Sequence, residues 1–184
     1  MPKKVLVFLP EQFEETEAVV TVDLLRRSGA DVQTVSLTDN FWVTGSHGIK
    51  IEADTLLVDI ALDDSADMLV LPGGLGTPRY LESDALLEKL ARYNEQGKYL
   101  AAICAAPTVL GGLGLLQGRT AICYPGLENG LAGAELSEDA VAADGNIITA
   151  KGAGTTMLFG LRLVEKLMGK EAARQLADSF IVTI

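Results

Sequence analysis

A chain of 184 residues, 48% hydrophobic and 22% charged, is long enough for a sizeable core and has the balance of a folded protein, which excludes a disordered chain. A net charge of −10 argues against a nucleic-acid partner, because binding phosphate needs clustered Lys and Arg, and no apolar run approaches the ~18 residues that span a bilayer. Cys104 and Cys123 do not make a disulfide framework, which places the protein in a reducing cytoplasm, and the length is that of one domain, residues 1–184.

Lys4 to Leu9 reads as a first strand; its apolar segment is short and soon met by Glu11, Glu14, Glu15 and Glu17, so it is not a signal peptide. Glu14 to Arg27 predicts a helix with Ala18, Val19, Val22, Leu24 and Leu25 inward, stopped by Ser28-Gly29. Asp31 to Leu37 is a second strand, and Phe41 to Asp54 alternates around Gly45 to Gly48 as a hairpin. Met68 to Leu71 is a buried strand entering Pro72-Gly-Gly-Leu-Gly76, and a helix follows over Pro78 to Glu95 with Leu81, Ala85, Leu86 and Leu90 as its inner face. Tyr99 to Ile103 is another apolar strand, and Thr108 to Leu116 continues a helix that Pro107 can begin. Thr120 to Tyr124 is a further strand, Glu128 to Glu138 a loop or short helix, and Val141 to Ala150 a hairpin turning at Asp144-Gly145. Gly154 to Met168 and Lys170 to Phe180 are two closing helices. Strands alternating with helices at this spacing predict an α/β sandwich with a mainly parallel sheet, whose ligands bind at the carboxyl ends of the strands.

Three chemically loaded turns fall at such ends. Cys104 lies between a strand end and a helix start among small neighbours, the geometry of a nucleophile elbow, and the helix N-terminus should favour its thiolate. Pro72 to Gly76 matches no phosphate-loop pattern, but it can supply an inward N–H to an oxyanion hole. The first turn carries Glu14, Glu15 and Glu17, which can serve the helix dipole; a buried carboxyl beside a thiolate would have a raised pKa and could donate a hydrogen bond to sulfur. Lys151 to Thr156 reads as a loop with a threonine near a helix N-cap, and the lone histidine, His47, sits in the hairpin, where it is a possible substrate contact. One His and two separated Cys do not give metal-ligand spacing.

The motifs Phe13-Glu-Glu-Thr-Glu-Ala18, Val70-Leu-Pro-Gly-Gly74, Ala101-Ala-Ile-Cys-Ala-Ala-Pro-Thr108 and Lys151-Gly-Ala-Gly-Thr155 stand in series at a spacing that resembles the DJ-1/ThiJ/PfpI superfamily, and its Parkinson-disease-protein branch more than its protease-like branch. The resemblance implies a flavodoxin-like α/β/α sandwich and a homodimer paired through the Glu14–Arg27 helix and the hairpin near His47. It makes Cys104 the reactive cysteine on a strained elbow, Glu17 a protonated acid bonded to its sulfur, and Gly74 and Ala105 the backbone donors beside it, with Gly73 next to them. Members often carry a histidine on the strand after the elbow; here Tyr124 takes that position, so a Cys–His dyad and peptide hydrolysis are not expected, and Tyr124 is left as a possible substrate contact. The implied function is a glyoxalase or deglycase acting on methylglyoxal or its adducts without a cofactor; the alternative is a stress-protective redox sensor whose Cys104 oxidises to a sulfinate. The partner is then a small reactive carbonyl or an oxidant.

Overall fold

In the computed structural model, which describes residues 2–182, the order of elements is β1 (Lys4–Leu9), α1 (Glu15–Arg27), β2 (Asp31–Ser36), β3 (Trp42–Thr44), β4 (Lys50–Glu52), β5 (Thr55–Leu56), α2 (Leu57–Ile60), β6 (Met68–Leu71), α3 (Asp84–Glu95), β7 (Tyr99–Ile103), α4 (Pro107–Gly112), β8 (Thr120–Ala121), β9 (Glu135–Leu136), β10 (Val141–Asp144), β11 (Ile147–Ala150), α5 (Thr156–Met168) and α6 (Lys170–Ser179). Seven strands form the central sheet in the order β10-β11-β7-β6-β1-β2-β5, parallel throughout except for the β10–β11 hairpin at one edge. The inner strands are apolar on both sides because both faces are covered. Val5, Val7 and Leu9 of β1 join the cluster under α1, α5 and α6, while Leu6 and Phe8 join the opposite cluster under α3 and α4. Ile103 and Ala101 of β7 belong to the first cluster, Leu100 and Ala102 to the second. Among the described residues no helix is long and apolar enough to cross a membrane.

Several elements differ from the sequence reading. The helix expected over Pro78 to Glu95 is a 3-10 turn, Thr77–Glu82, followed by α3, because the Ser83 side chain accepts from Leu86 N and starts a new helix. That break turns Leu81 and Ala85 outward and puts Leu86, Lys89, Leu90 and Tyr93 on the buried face. On α1 the inward face is Glu15, Glu17, Ala18, Thr21, Leu24 and Leu25, and Val19 is exposed. The helix after Cys104 is shorter than Thr108–Leu116: α4 has six residues and stops at Gly112. The strand expected over Thr120 to Tyr124 keeps only β8, which pairs in parallel with β9 in a separate two-stranded sheet. The hairpin over Phe41 to Asp54 is present as β3 against β4, and the one over Val141 to Ala150 pairs Asp144 with Ile147. The short β5 and α2 carry no periodic signal and were not expected.

The topology changes hand beside β1: α1 carries the chain to β2 on one side, and the later strands β6 and β7 lie on the other. Crevices at the carboxyl ends of strands form at such a switch point. The turns that follow β1, β6 and β7 therefore meet at one end of three adjacent strands.

Candidate active site

Cys104 is held in the left-handed region, with φ +65°, at the single residue between β7 and the turn into α4. A non-glycine residue there is strained and persists only where its surroundings fix it. They do so from both sides: Cys104 N donates to Ala150 O at 2.9 Å, and Tyr124 N donates to Cys104 O at 2.8 Å. The thiol is thereby lifted from the sheet end toward the other two turns.

Gly73 shows how close those turns come. A Cβ on Gly73 would lie 2.7 Å from Cys104 Cβ and 2.9 Å from Glu17 Oε2, so only a glycine lets the cysteine and the carboxylate flank it. Gly73 N donates to Glu17 Oε2 at 2.7 Å, and Glu14 N donates back to Gly73 O at 2.9 Å. Gly74, at φ +105°, would place a Cβ 2.4 Å from Glu14 N. The glycine-rich turn is thus bare where it packs on the first turn. Tyr80, which the sequence reading passed over, lies beneath: its hydroxyl is 3.0 Å from the Phe8 carbonyl and 2.8 Å from the Pro72 carbonyl, tying the ends of β1 and β6 together. No motif marked it.

Glu17 and Cys104 interact directly. Glu17 is fully buried, and burial pushes its carboxyl up to about 7 against the Gly73 N–H, with the Glu14 charge adding to the rise. Burial and the Glu17 carboxylate push the Cys104 thiol up to about 12, and the N–H groups of Ala105 and Gly74, which reach the sulfur, offset only part. A lowered thiol pKa, expected from a helix N-terminus, is overturned: α4 is short and begins three positions beyond Cys104, while a buried anion sits beside the sulfur. Among the described residues Glu17 Oε1 has no aligned hydrogen-bond partner, which leaves it free to face the thiol. At neutral pH the thiol keeps its proton and the Glu17 carboxyl is only part protonated, so the pair carries between one and two protons. When the pair holds a single proton, a thiolate forms if that proton is on Glu17, which then donates to the sulfur.

Of the remaining candidates, Glu14 and Tyr124 adjoin this pair, while His47 is held by Glu15 and Cys123 lies apart. Glu14 is the N-cap of α1, its carboxylate accepting from Glu17 N at 2.6 Å. Glu15 is buried and accepts from His47 N at 2.6 Å and Ile49 N at 3.4 Å, with His47 Nδ1 3.0 Å from its other oxygen, which holds its pKa below the usual range despite burial. His47 is therefore tied to Glu15, its ring largely exposed at the hairpin tip. Glu14, Glu15 and His47 bring ligand-capable atoms within 4.8 Å of one another, a grouping that Cys and His spacing could not reveal, although these atoms already bond within the cluster and to α1. Tyr124 stands on the other side of the thiol, half exposed: a Cβ on Gly152 would be 3.4 Å from its Cδ2 and 3.7 Å from Cys104 Sγ. Cys123 is buried in the cluster on the far face of the sheet from the one that Cys104 packs against, and both cysteines are free.

This arrangement has close relatives. The model of the DJ-1/PfpI family matches residues 3–166. Protein DJ-1 homolog B of Arabidopsis thaliana is 44% identical over 98% of this chain, which spans only 42% of that protein, and the chain likewise spans 47% of DJ-1 homolog A of the same plant. Protein dj-1beta of Drosophila melanogaster is 38% identical, with 99% of this chain and 98% of the relative covered. Among solved structures, Toxoplasma gondii DJ-1 in an oxidised form superposes with a TM-score of 0.95 at 36% identity, covering 99% of this chain and all of that one. Drosophila melanogaster DJ-1beta does so with a TM-score of 0.94 at 36% identity, both chains covered in full. With the fold, the elbow and end-to-end similarity in agreement, the chain belongs to the DJ-1/PfpI family.

Proposed function

We propose that the protein is a cysteine-dependent enzyme acting on reactive carbonyls such as methylglyoxal or its adducts. The observation that carries this reading is the fully buried Glu17 carboxyl held by Gly73 N beside Cys104, where burial raises it to about 7, with the N–H groups of Gly74 and Ala105 turned to the sulfur. A group titrating near ambient pH can both take and return a proton. The Cys104 sulfur bonds to the aldehyde carbon, the C=O pair moves onto oxygen facing the two N–H groups, and the thiol proton reaches that oxygen by way of Glu17. Glu17 then moves the proton from this carbon to the neighbouring carbon through an enediol, while the hydroxyl proton of the first carbon passes to the oxygen of the second, leaving a thioester of a 2-hydroxy acid. Water cleaves the thioester, releasing lactate and the thiol, so that methylglyoxal and one water give one lactate. The test is lactate formation from methylglyoxal, with Cys104→Ser as control; an equal rate in the two proteins refutes the reading.

A second reading is favoured by the same donors and by the oxidised state of one relative's structure. Cys104 would gain one oxygen from each of two peroxide molecules, by way of the sulfenic acid and with release of two waters, and the sulfinate would be held by Gly74, Ala105 and protonated Glu17. A mass gain of two oxygens on Cys104 without carbonyl turnover would favour it. In either case we place the protein in the cytoplasm, which its two free thiols support, and as a symmetric dimer. The exposed Val19 on α1, beside Val22 and Ile51 in a groove of about 360 Å³, supports pairing through α1 and the hairpin, and sedimentation at micromolar concentration tests it.

A further inference from the structure

A cavity of about 270 Å³ opens between the Tyr124–Pro125 segment and the loop that follows β11. That is just under the ~300 Å³ at which pockets for drug-sized ligands begin, and suits a small ligand. Its polar lining is already engaged: Lys151 Nζ donates to Glu138 O at 2.8 Å, and Thr155 Oγ1 donates to Gly152 O at 2.8 Å. What faces the cavity otherwise is the Tyr124 ring, the Pro125 ring, Ala153 and two glycines. The cavity is not lined by Cys104 itself, but Gly152, which lines it, is bare toward the thiol: a Cβ there would stand between the Tyr124 ring and Cys104 Sγ at ordinary contact distances of 3.4 and 3.7 Å. The Tyr124 backbone is anchored to Cys104 O by its N–H, which keeps the root of the ring beside the elbow. An aromatic ring half exposed beside a nucleophile, with an open gap between them, offers a flat group a stacking face.

We propose that this cavity is a side-chain subsite of the Cys104 centre and that it favours electrophiles carrying a flat aromatic group, so that aryl α-oxoaldehydes are turned over in preference to, and not to the exclusion of, small aliphatic ones such as methylglyoxal. The substrate class rests on the carbonyl reading above; the preference of the subsite does not. It is read first by alkylation, in which the thiol adds across the C=C of a maleimide and its proton goes to the neighbouring carbon. Rates at Cys104 with N-phenylmaleimide and N-methylmaleimide, each divided by the rate with glutathione, give a selectivity ratio. The ratio should favour the phenyl reagent, fall roughly 2- to 13-fold in Tyr124→Ala, as loss of an aromatic pair predicts, and hold in Tyr124→Phe. Gly152→Ala should lower it as well, by closing the gap. The same variants are then compared on phenylglyoxal, followed as mandelate, and methylglyoxal, followed as lactate. A maleimide ratio near one, or one unchanged in Tyr124→Ala, overturns the subsite. Aromatic selectivity toward maleimides with no turnover of either aldehyde upholds the subsite and overturns the enzymatic reading and, with it, the aryl oxoaldehyde class.

Discussion

Replacing Glu17 by glutamine should abolish a fall in stability that the wild-type protein suffers between about pH 4.5 and 7. Glu17 is fully buried and its carboxyl is raised from 4.5 to about 7, first by burial. Below the unfolded value both states are protonated and the group costs nothing. Between the two values only the unfolded chain releases its proton, so stability falls as pH rises, and above the folded value the cost is complete. A shift of ~2.5 units at 1.36 kcal/mol each makes that cost on the order of 3 kcal/mol. Glutamine keeps an oxygen for the Gly73 N–H and carries no charge, so Glu17→Gln should match the wild type near pH 4.5 and exceed its stability at pH 8. Urea denaturation of both proteins from pH 4.5 to 8 measures the difference. Asp63, lowered to about 2 by its bonds to Ser65 and Lys4, is stabilising above the ordinary carboxylate range and loses that contribution only as pH falls toward 2, outside the window; it also cancels between the two proteins. Stopping at pH 8 keeps the thiol of the unfolded chain protonated. The same variant removes the anion that raises Cys104, so the pH at half-maximal alkylation should move down while carbonyl turnover falls. A wild-type profile that is flat or rising between pH 4.5 and 7, or a stability difference independent of pH, would refute the buried-acid argument.

Glu15→Gln, two positions away, should leave Cys104 alkylation unchanged but speed hydrogen exchange at the His47 and Ile49 amides, which Glu15 holds. Gly73→Ala should destabilise the fold by about 1–3 kcal/mol, the usual cost of overpacking, and slow Cys104 alkylation, because its Cβ would meet Cys104 Cβ at 2.7 Å; urea denaturation and a single-reagent rate check both. Cys104→Gly should be more stable than Cys104→Ala by about 1 kcal/mol in thermal unfolding, since glycine relieves the left-handed strain at φ +65° and returns part of that gain through its freer unfolded chain. Peroxide treatment should yield no Cys104–Cys123 disulfide by non-reducing mass spectrometry, because the two side chains belong to clusters on opposite faces of the sheet.

The central strands were legible because burial on both faces demands unbroken apolar runs, and β1, β6 and β7 stand where those runs stand. Elements decided by a single local bond were not. The helix over Pro78 to Glu95 looks continuous by periodicity, and only the Ser83 cap, a contest between one hydroxyl and one backbone N–H, divides it and reverses the roles of Leu81 and Ala85. Cys104 and the glycine turn were legible from their position at strand ends. Glu17 was one acid among several, and nothing in its spacing separates it from Glu14 or Glu15; the fold separates them, making one a cap, one a hairpin anchor and one a buried acid. The thiol pKa was illegible for the same reason, since its direction is set first by how far the fold buries Cys104 and then by the Glu17 charge placed beside it.

That burial also bears on the choice between the two functional readings. Gly74, Ala105 and an acid beside the sulfur would steady an alkoxide or a sulfinate alike, so the oxyanion donors do not discriminate. A sensor that ends as a sulfinate needs Glu17 only as a donor, and any carboxyl protonated at neutral pH would serve, however high its pKa. An enzyme must take a proton and give it back in each cycle, which is fastest when the group titrates near ambient pH. The Gly73 N–H holds the Glu17 carboxyl down against the rise that burial causes, leaving it near 7. That bond also pairs the buried Gly73 N–H, which any such site needs, but its effect on the carboxyl is one that a site moving protons can use. The pH profile of carbonyl turnover should therefore bend near 7 and lose that bend in Glu17→Gln.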